Sequence, residues 1–442
     1  MKLKTRRFRI IMMLVALLLI VSGMNQVLAN QAATKHPAAE IYKPTPVPDR
    51  VVLTWKGDTT TTQAVSWRTD ESVISPQAQI AVAEDGPSFK QNATTVLPEK
   101  TEELETDLGY TSKFHSVNFE NLSPSTKYLY RVGDGANWSE WFEFSTASEE
   151  NEPFSFVYVG DAQNDIREHW SRVIRQSFSD MPEASFILHA GDLINHGNAD
   201  AQWGEWFDAG GWINGMVPSI ATPGNHEYSR IDGSPKQLSE YWDKQFSFPE
   251  NGPEGQKGAV AYWDYQDMRI ISLDTNVGSA KLRETAVWLD EVLEENPNQW
   301  SVITFHHPLF SSGAGRDNKS LRDLILPIVE KHSVDLVLQG HDHTYARGHM
   351  SNKSDGKNLY FADTMFANSV SGPKMYNLSD EVWNENGAYR RAGKEQTQLY
   401  QLIYVNDNVL TYEARTATGT LFDSFEMEKL PNGKKQIKEL TQ

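Results

Sequence analysis

The chain has 442 residues, 39% of them hydrophobic and 23% charged, which is long enough for two domains with substantial cores. Its formal charge of −18 at pH 7 argues against a general polyanion or nucleic-acid binder. Cysteine is absent, so disulfides, thiolate ligands and a lipid-bearing cysteine are excluded, and any metal must be held by oxygen and nitrogen donors.

At the N-terminus, Lys2, Lys4, Arg6, Arg7 and Arg9 precede an uncharged apolar run from Ile10 to Val21, and Val27-Leu28-Ala29 then offers a small-residue cleavage pattern. Residues 1–29 therefore read as a secretory signal peptide, the apolar run being short for a membrane span, with an uncleaved anchor as the other reading. The expectation is a secreted, extracytoplasmic protein with no membrane span after cleavage. Residues 30–49, rich in Ala, Pro and Thr, read as a linker.

From 50 to 147 the pattern is all-β. Short alternating segments at Val51–Trp55, Gln63–Arg68, Ala78–Ala83, His115–Phe119, Lys127–Val132 and Glu140–Ser145 predict a β-sandwich of immunoglobulin or fibronectin type III kind. The acidic run Glu99–Asp107 reads as a solvated loop, and the polar stretch Ala147–Pro153 as a boundary.

Residues 152–429 change character. Apolar runs at Phe154–Val159, Ser185–Leu188, Pro218–Ala221, Arg269–Leu273, Ser301–Phe305 and Val334–Leu338 fit buried strands. Amphipathic helices lie between them: Trp170, Val173, Ile174 and Phe178 recur at helical spacing, as do Leu321, Leu324, Ile325, Ile328 and Val329. Alternating strands and helices predict a layered α/β domain. Ser351–Gln398 reads as a polar surface insertion, Tyr400–Val405 and Val409–Arg415 as a closing hairpin, and residues 430–442 as a polar tail.

Five strand ends carry the unusual residues: Gly160-Asp161-Ala162-Gln163, Gly191-Asp192, Gly224-Asn225-His226-Glu227, His306-His307-Pro308 and Gly340-His341-Asp342-His343. The carboxyl ends of strands in an α/β sheet line the ligand crevice, so these side chains are expected on one face. A phosphoester undergoing attack gathers negative charge, and two metal ions about 3.5–4 Å apart can stabilise it and lower the pKa of a water. Asp161, Asp192, Asn225, His306, His341 and His343 supply the donors such a pair needs. Single pieces carry little, since Gly57-Asp58 and Gly133-Asp134 look like ordinary turns. The ordered set carries the case. Trp203, Trp206 and Trp212 fit domain packing better than a cleft lining.

In that order the motifs resemble the calcineurin-like metallophosphoesterases, and Gly340–Arg347 resembles their purple acid phosphatase branch. Phe114–Val117 and Tyr128–Gly133 are similar to that branch's N-terminal β-domain. The resemblance implies a multidomain α+β/α/β fold: the sandwich followed by a four-layer α-β-β-α catalytic domain with two packed mixed sheets. It also implies that Asp161, Asp192 and His343 hold one metal, and that Asp192, Asn225, His306 and His341 hold the second, with Asp192 bridging. His226 matches the histidine that contacts phosphate and protonates the leaving group, a role suited to an acidic optimum. Asn225, His226, His307 and Arg347 are then candidates for substrate binding, with a structural ion pair the other reading of Arg347. The family's tyrosine ligand, three residues after the bridging aspartate, is replaced by Asn195, which predicts a colourless protein. Gln163 or Asn195 could fill that place. The metals are Fe, Zn or Mn in some mixture.

The expected function is hydrolysis of small phosphate monoesters by attack of a metal-bound hydroxide, with Asp192 and His226 central to it. A phosphodiesterase acting on nucleotides or glycerophosphodiesters shares the same ligands. A cell-surface binding protein without turnover is a reading of a different class. No nucleic-acid partner is evident, and oligomeric state is not encoded in any motif.

Overall fold

A computed structural model describes residues 37–230, 234–350 and 358–441. The expected signal peptide lies outside these residues. Among the described residues, 37–43 fall in a unit of their own, in which Ala38–Ile41 makes one helical turn. Residues Pro44–Gln442 form a second compact unit that contains everything described below.

The first part of this unit consists of two four-stranded antiparallel sheets. One orders Asp49–Thr54, Gln63–Asp70, Thr111–Phe119 and Lys100–Glu105, and the other Thr94–Val96, Gln77–Val82, Lys127–Gly133 and Phe142–Ser145. Period-two alternation builds the core between them: Tyr128, Tyr130 and Val132 point inward and meet Leu53, Val65, Trp67 and Val117. The expected acidic loop is instead partly a strand, since Lys100–Glu105 pairs antiparallel with Thr111–Phe119. It lies at a sheet edge, where charged side chains are tolerated and discourage further pairing, so hydrophobic alternation had little to reveal.

Beyond Phe154 an eight-stranded and a seven-stranded mixed sheet face each other. In the first, β1 (Phe154–Val159), β2 (Ile187–His189) and β3 (Ser219–Ala221) run parallel. In the second, β4 (Trp300–Phe305) and β5 (Leu336–Gln339) run parallel. Strands buried on both faces explain the unbroken apolar runs. Along β4, Val302 packs into the core between the sheets while Ile303 packs outward against Leu289 and Ile325 of two covering helices, Ser279–Glu294 and Lys319–Lys331. Leu336 and Leu338 of β5 face inward and Val337 outward in the same way. On the far side the helix Ile166–Asp180 buries Trp170, Val173 and Ile174. The layer order is therefore helix, sheet, sheet, helix.

Two sequence expectations give way here. Residues 358–398 are not a surface insertion: Met365–Asn368 pairs parallel with β5 inside the seven-stranded sheet, and Ala388–Lys394 forms its edge. A four-residue strand between polar turns is too short to stand out in the composition. Nor is the C-terminus merely a polar tail, because Lys435–Glu439 pairs on both sides and buries Ile437 completely. Two of its charges are spent internally, Lys435 on Asp335 (2.6 Å) and Glu439 on Arg347 (2.7 Å). Among the described residues no helix is long and apolar enough to cross a membrane.

Candidate metal centre

The five motifs follow directly on β1 to β5 or within a few residues of them, and the fold gathers them. Asp161, Asp192, His341 and His343 all adopt positive φ, between 41° and 75°. Left-handed backbone at non-glycine residues is costly, on the order of 1–3 kcal/mol each, and persists where surrounding structure enforces it. Two glycines permit the close approach. A Cβ at Gly224 would lie 2.2 Å from Asp192 Oδ1, and one at Gly340 would lie 2.5 Å from Asp161 Oδ2.

Two donor groups result, sharing Asp192: Asp192 with His306 and His341, and Asp161 with Asp192 and His343. In the first, His306 Nε2 lies 3.1 Å from Asp192 Oδ2, 3.2 Å from Asn225 Oδ1 and 3.0 Å from His341 Nδ1. His306 turns its other nitrogen to the Ala190 carbonyl (3.0 Å), which fixes the ring. A proton or a cation is needed to hold so many acceptors together in a buried place. In the second group, Asp161 receives the His341 N–H on Oδ2 (2.6 Å), while its buried Oδ1 has no hydrogen-bond partner and lies 3.7 Å from His343 Nε2. The donor chemistry and the orphaned oxygen both fit a pair of metal ions.

The electrostatics agree. Burial, reinforced by the Asp192 charge, raises the Asp161 carboxyl well above its ordinary range. Burial opposes ionisation of Asp192 too, but His306 and His226 outweigh it and lower its pKa. His306, despite burial, is lifted to about 9 by the Asp192 and Asp161 carboxylates. Burial pushes His343 down to about 3, with Lys374 adding to the effect, and lowers His341, helped by His306.

His226 stands at the mouth, 24% exposed, with Nε2 3.9 Å from Asp192 Oδ2. Its Nδ1 donates to the Asn195 carbonyl (2.6 Å), so Nε2 faces the centre. That carbonyl is itself positioned: Gln202 Oε1 accepts the N–H groups of Asn195 (3.0 Å) and His196 (2.8 Å). Gln202 rides on the helix Asp200–Gly210, whose first residue is clasped by Arg50 (2.8 Å) and Arg68 (3.2 Å) of the sandwich. The sandwich thus braces the loop that orients His226.

His307 lies beside the centre, its ring centroid 4.3 Å from that of His341 and Nδ1 2.8 Å from Thr275 Oγ1. Gln163 enters the cluster, with Nε2 3.1 Å from Asp192 Oδ2 and 3.0 Å from His343 Nε2. The Asn195 amide instead bonds His196 (3.0 Å). Arg347 requires correction as a phosphate clamp. It is 1% exposed and forms paired bonds to Asp423 (2.7 Å each) and to Glu439 (3.1 and 2.7 Å), so its fork is fully used inside the fold. Trp203 and Trp206 are buried, as packing required, and Trp212 is half exposed against Phe178.

Several contributors escaped the motif reading. Glu227, completely buried, accepts N–H groups from Asp192 (2.9 Å), Leu193 (2.8 Å), Ile194 (3.3 Å) and Gly224 (2.6 Å), and so staples the Asp192 and Gly224 loops together. Burial and the neighbouring Asp192 raise it to about 7. Asp342 accepts Ser312 N (2.6 Å) and Gly313 N (3.1 Å) and pairs with Arg316 (2.8 Å), which also touches His341. Glu227 and Asp342 stood inside the motifs and were readable as invitations to look; Arg316 had no sequence signal.

A family model for the purple acid phosphatase N-terminal domain matches residues 48–146, and one for calcineurin-like phosphoesterases matches residues 154–345. Residues 154–345 thus carry a calcineurin-like phosphoesterase domain, preceded at 48–146 by an N-terminal domain of the purple acid phosphatase kind. Acid phosphatase type 7 of Danio rerio is 28% identical over 269 residues, covering 53% of this chain and 57% of that protein. An Arabidopsis thaliana protein named Fe(3+)-Zn(2+) purple acid phosphatase 12 is 26% identical, covering 54% and 53%. The chain thus spans little more than half the length of such relatives. The fold matches that of purple acid phosphatase PPD1 from yellow lupin, Lupinus luteus, with a TM-score of 0.69 over 86% of this chain and 74% of that one, at 17% identity.

Proposed function

We propose that this chain is a secreted metal-dependent phosphatase that hydrolyses phosphate monoesters. The observation that carries the proposal is the convergence of Asp161, Asp192, Asn225, His306, His341 and His343, from five strand ends, into two donor groups sharing one carboxylate. Asp161, Asp192 and His343 would hold one ion, and Asp192, Asn225, His306 and His341 the other. Such ions supply Lewis acidity toward phosphoryl oxygens and a water of lowered pKa. The Fe–Zn pair named for the Arabidopsis relative is one composition; Mn is another.

The protein's own groups supply order and a proton. His306 is fixed by the Ala190 carbonyl, and Glu227 holds the Asp192 and Gly224 loops at one separation. His226, anchored through Nδ1 to the Asn195 carbonyl, presents Nε2 toward the substrate and, when protonated, donates to the departing alkoxide. Export is supported by the layout of residues 1–29.

The deciding experiment compares an aryl phosphate monoester with an aryl phosphate diester after chelation and add-back of Fe, Zn or Mn. Metal-dependent turnover favouring the monoester is expected. Preference for the diester would replace the proposal with a phosphodiesterase, and turnover of neither would leave the binding-protein reading.

A further inference from the structure

Resting on that hydrolase reading, we propose that Arg316, assisted by Lys374, is the anion-recognition rim that makes the dianionic monoester, rather than a monoanionic diester, the preferred substrate. The protein is strongly acidic, yet two cations stand at this mouth. The Arg316 guanidinium lies 5.2 Å from the Tyr376 ring centroid and Lys374 Nζ lies 5.6 Å from the same centroid. That ring packs 4.8 Å from His343, and the Tyr376 N–H donates to the His343 carbonyl (3.1 Å). Both charges are therefore tied to the face where His341 and His343 emerge.

Arg316 is held by one edge only. Its Nε donates to Asp342 Oδ1 (2.8 Å), and Asp342 is locked by the Ser312 and Gly313 N–H groups. Its Nη2 touches His341 Nε2, and the side chain remains 29% exposed. His341 turns Nδ1 toward His306, so a cation shared with His306 would be held through Nδ1 and would leave the proton on Nε2. A guanidinium N–H cannot donate to another N–H. Arg316 would then keep Asp342 while giving up His341, which would leave its remaining N–H groups, on a side chain 29% exposed, for an anion at the centre. A planar fork of that kind pairs best with a terminal phosphoryl group carrying two negative charges. A diester offers one charge and carries a second organic arm.

The experiment uses the metal-loaded full chain, with Arg316→Gln, Arg316→Lys and Lys374→Gln. Metal content by elemental analysis, kcat/KM for aryl monoester and diester, and inorganic phosphate affinity by calorimetry are compared. A charge-assisted hydrogen bond lost to the dianion predicts a fall of about 10–100-fold in monoester kcat/KM and in phosphate affinity for Arg316→Gln. Diester turnover and metal content should change by less than about threefold, Arg316→Lys should recover part of the phosphate affinity, and Lys374→Gln should give a smaller loss of the same kind. Equal losses on both esters would overturn the proposal, assigning Arg316 to holding the Asp342 loop; no loss would overturn it too. If the unaltered protein turns over neither ester, the hydrolase reading fails by itself. Phosphate affinity then still decides the rim: unchanged affinity in Arg316→Gln overturns it, and a selective loss upholds an anion site.

Discussion

Gly-Asp occurs four times in the chain with two different fates. In the sandwich, Asp58 is exposed and its Oδ1 accepts the N–H of Thr60 (2.7 Å), while Asp134 Oδ1 accepts those of Ala136 (2.9 Å) and Asn137 (2.6 Å). Those carboxylates satisfy turns of their own. In the α/β part, Asp161 and Asp192 end buried strands, adopt positive φ and send their oxygens to other loops: Asp161 to His341, Asp192 to His226 and His306. An aspartate with local N–H partners closes a turn. One at the end of a buried strand, denied them, remains available to a cation.

The largest expected contrast comes from replacing one aspartate of each kind. Asp192→Ala should drop metal-dependent turnover to background and reduce bound metal, whereas Asp134→Ala should leave both intact. Elemental analysis alongside kinetics checks the pair, and full activity in Asp192→Ala would sink the shared-carboxylate scheme. Glu227→Gln keeps the shape of the staple but turns an amide toward several backbone N–H groups. A loss of about 10–100-fold in metal affinity or turnover is expected, the usual scale for groups that orient metal ligands.

The two regions also share an acid weakness. In the sandwich, His115 is enclosed by Thr69 (2.8 Å) and Thr101 (3.0 Å), and burial lowers it to about 4; in the α/β part, burial lowers His189 to about 3. Their folded values lie below the unfolded value of about 6.5, so the stability they lend is full above that pH and is lost as pH falls toward 4 or 3. For His115 the linkage amounts to about 3 kcal/mol at most. His115→Gln should therefore flatten the fall of the urea midpoint between pH 7 and 4.5, and an unchanged slope would refute the assignment.

With iron loaded, the visible spectrum should lack a tyrosinate charge-transfer band, because Asn195 stands at the tyrosine position and bonds His196. A band that appeared nonetheless would direct attention to Tyr376, packed against His343. The smallest effect belongs to the turn itself: Asp134→Ala should cost about 1 kcal/mol in the urea midpoint.

Where hydrophobic pattern sets structure, the sequence was a good guide. Phe154–Val159 and the helix beginning at Ile166 were legible because one is buried on both faces and the other on one stripe. The acidic edge strand Lys100–Glu105 and the short strand Met365–Asn368 were not, since the first buries little and the second takes its place from its neighbours. The six candidate donors were legible as an ordered series of motifs. Arg347 misled because its nearness in sequence to His343 said nothing of the buried Asp423 and Glu439 that consume its charge.

By itself, then, the sequence determined the two-part architecture, the absence of thiol chemistry and the oxygen and imidazole donor set, because periodicity and residue chemistry are local properties. Only the tertiary structure decided which Gly-Asp pairs are turns, that Glu227 staples the Asp192 and Gly224 loops, that the sandwich braces His226 through Asp200, and that Arg316 rather than Arg347 stands at the mouth. Each of these rests on partners distant along the chain, and only folding brings such partners within hydrogen-bond reach.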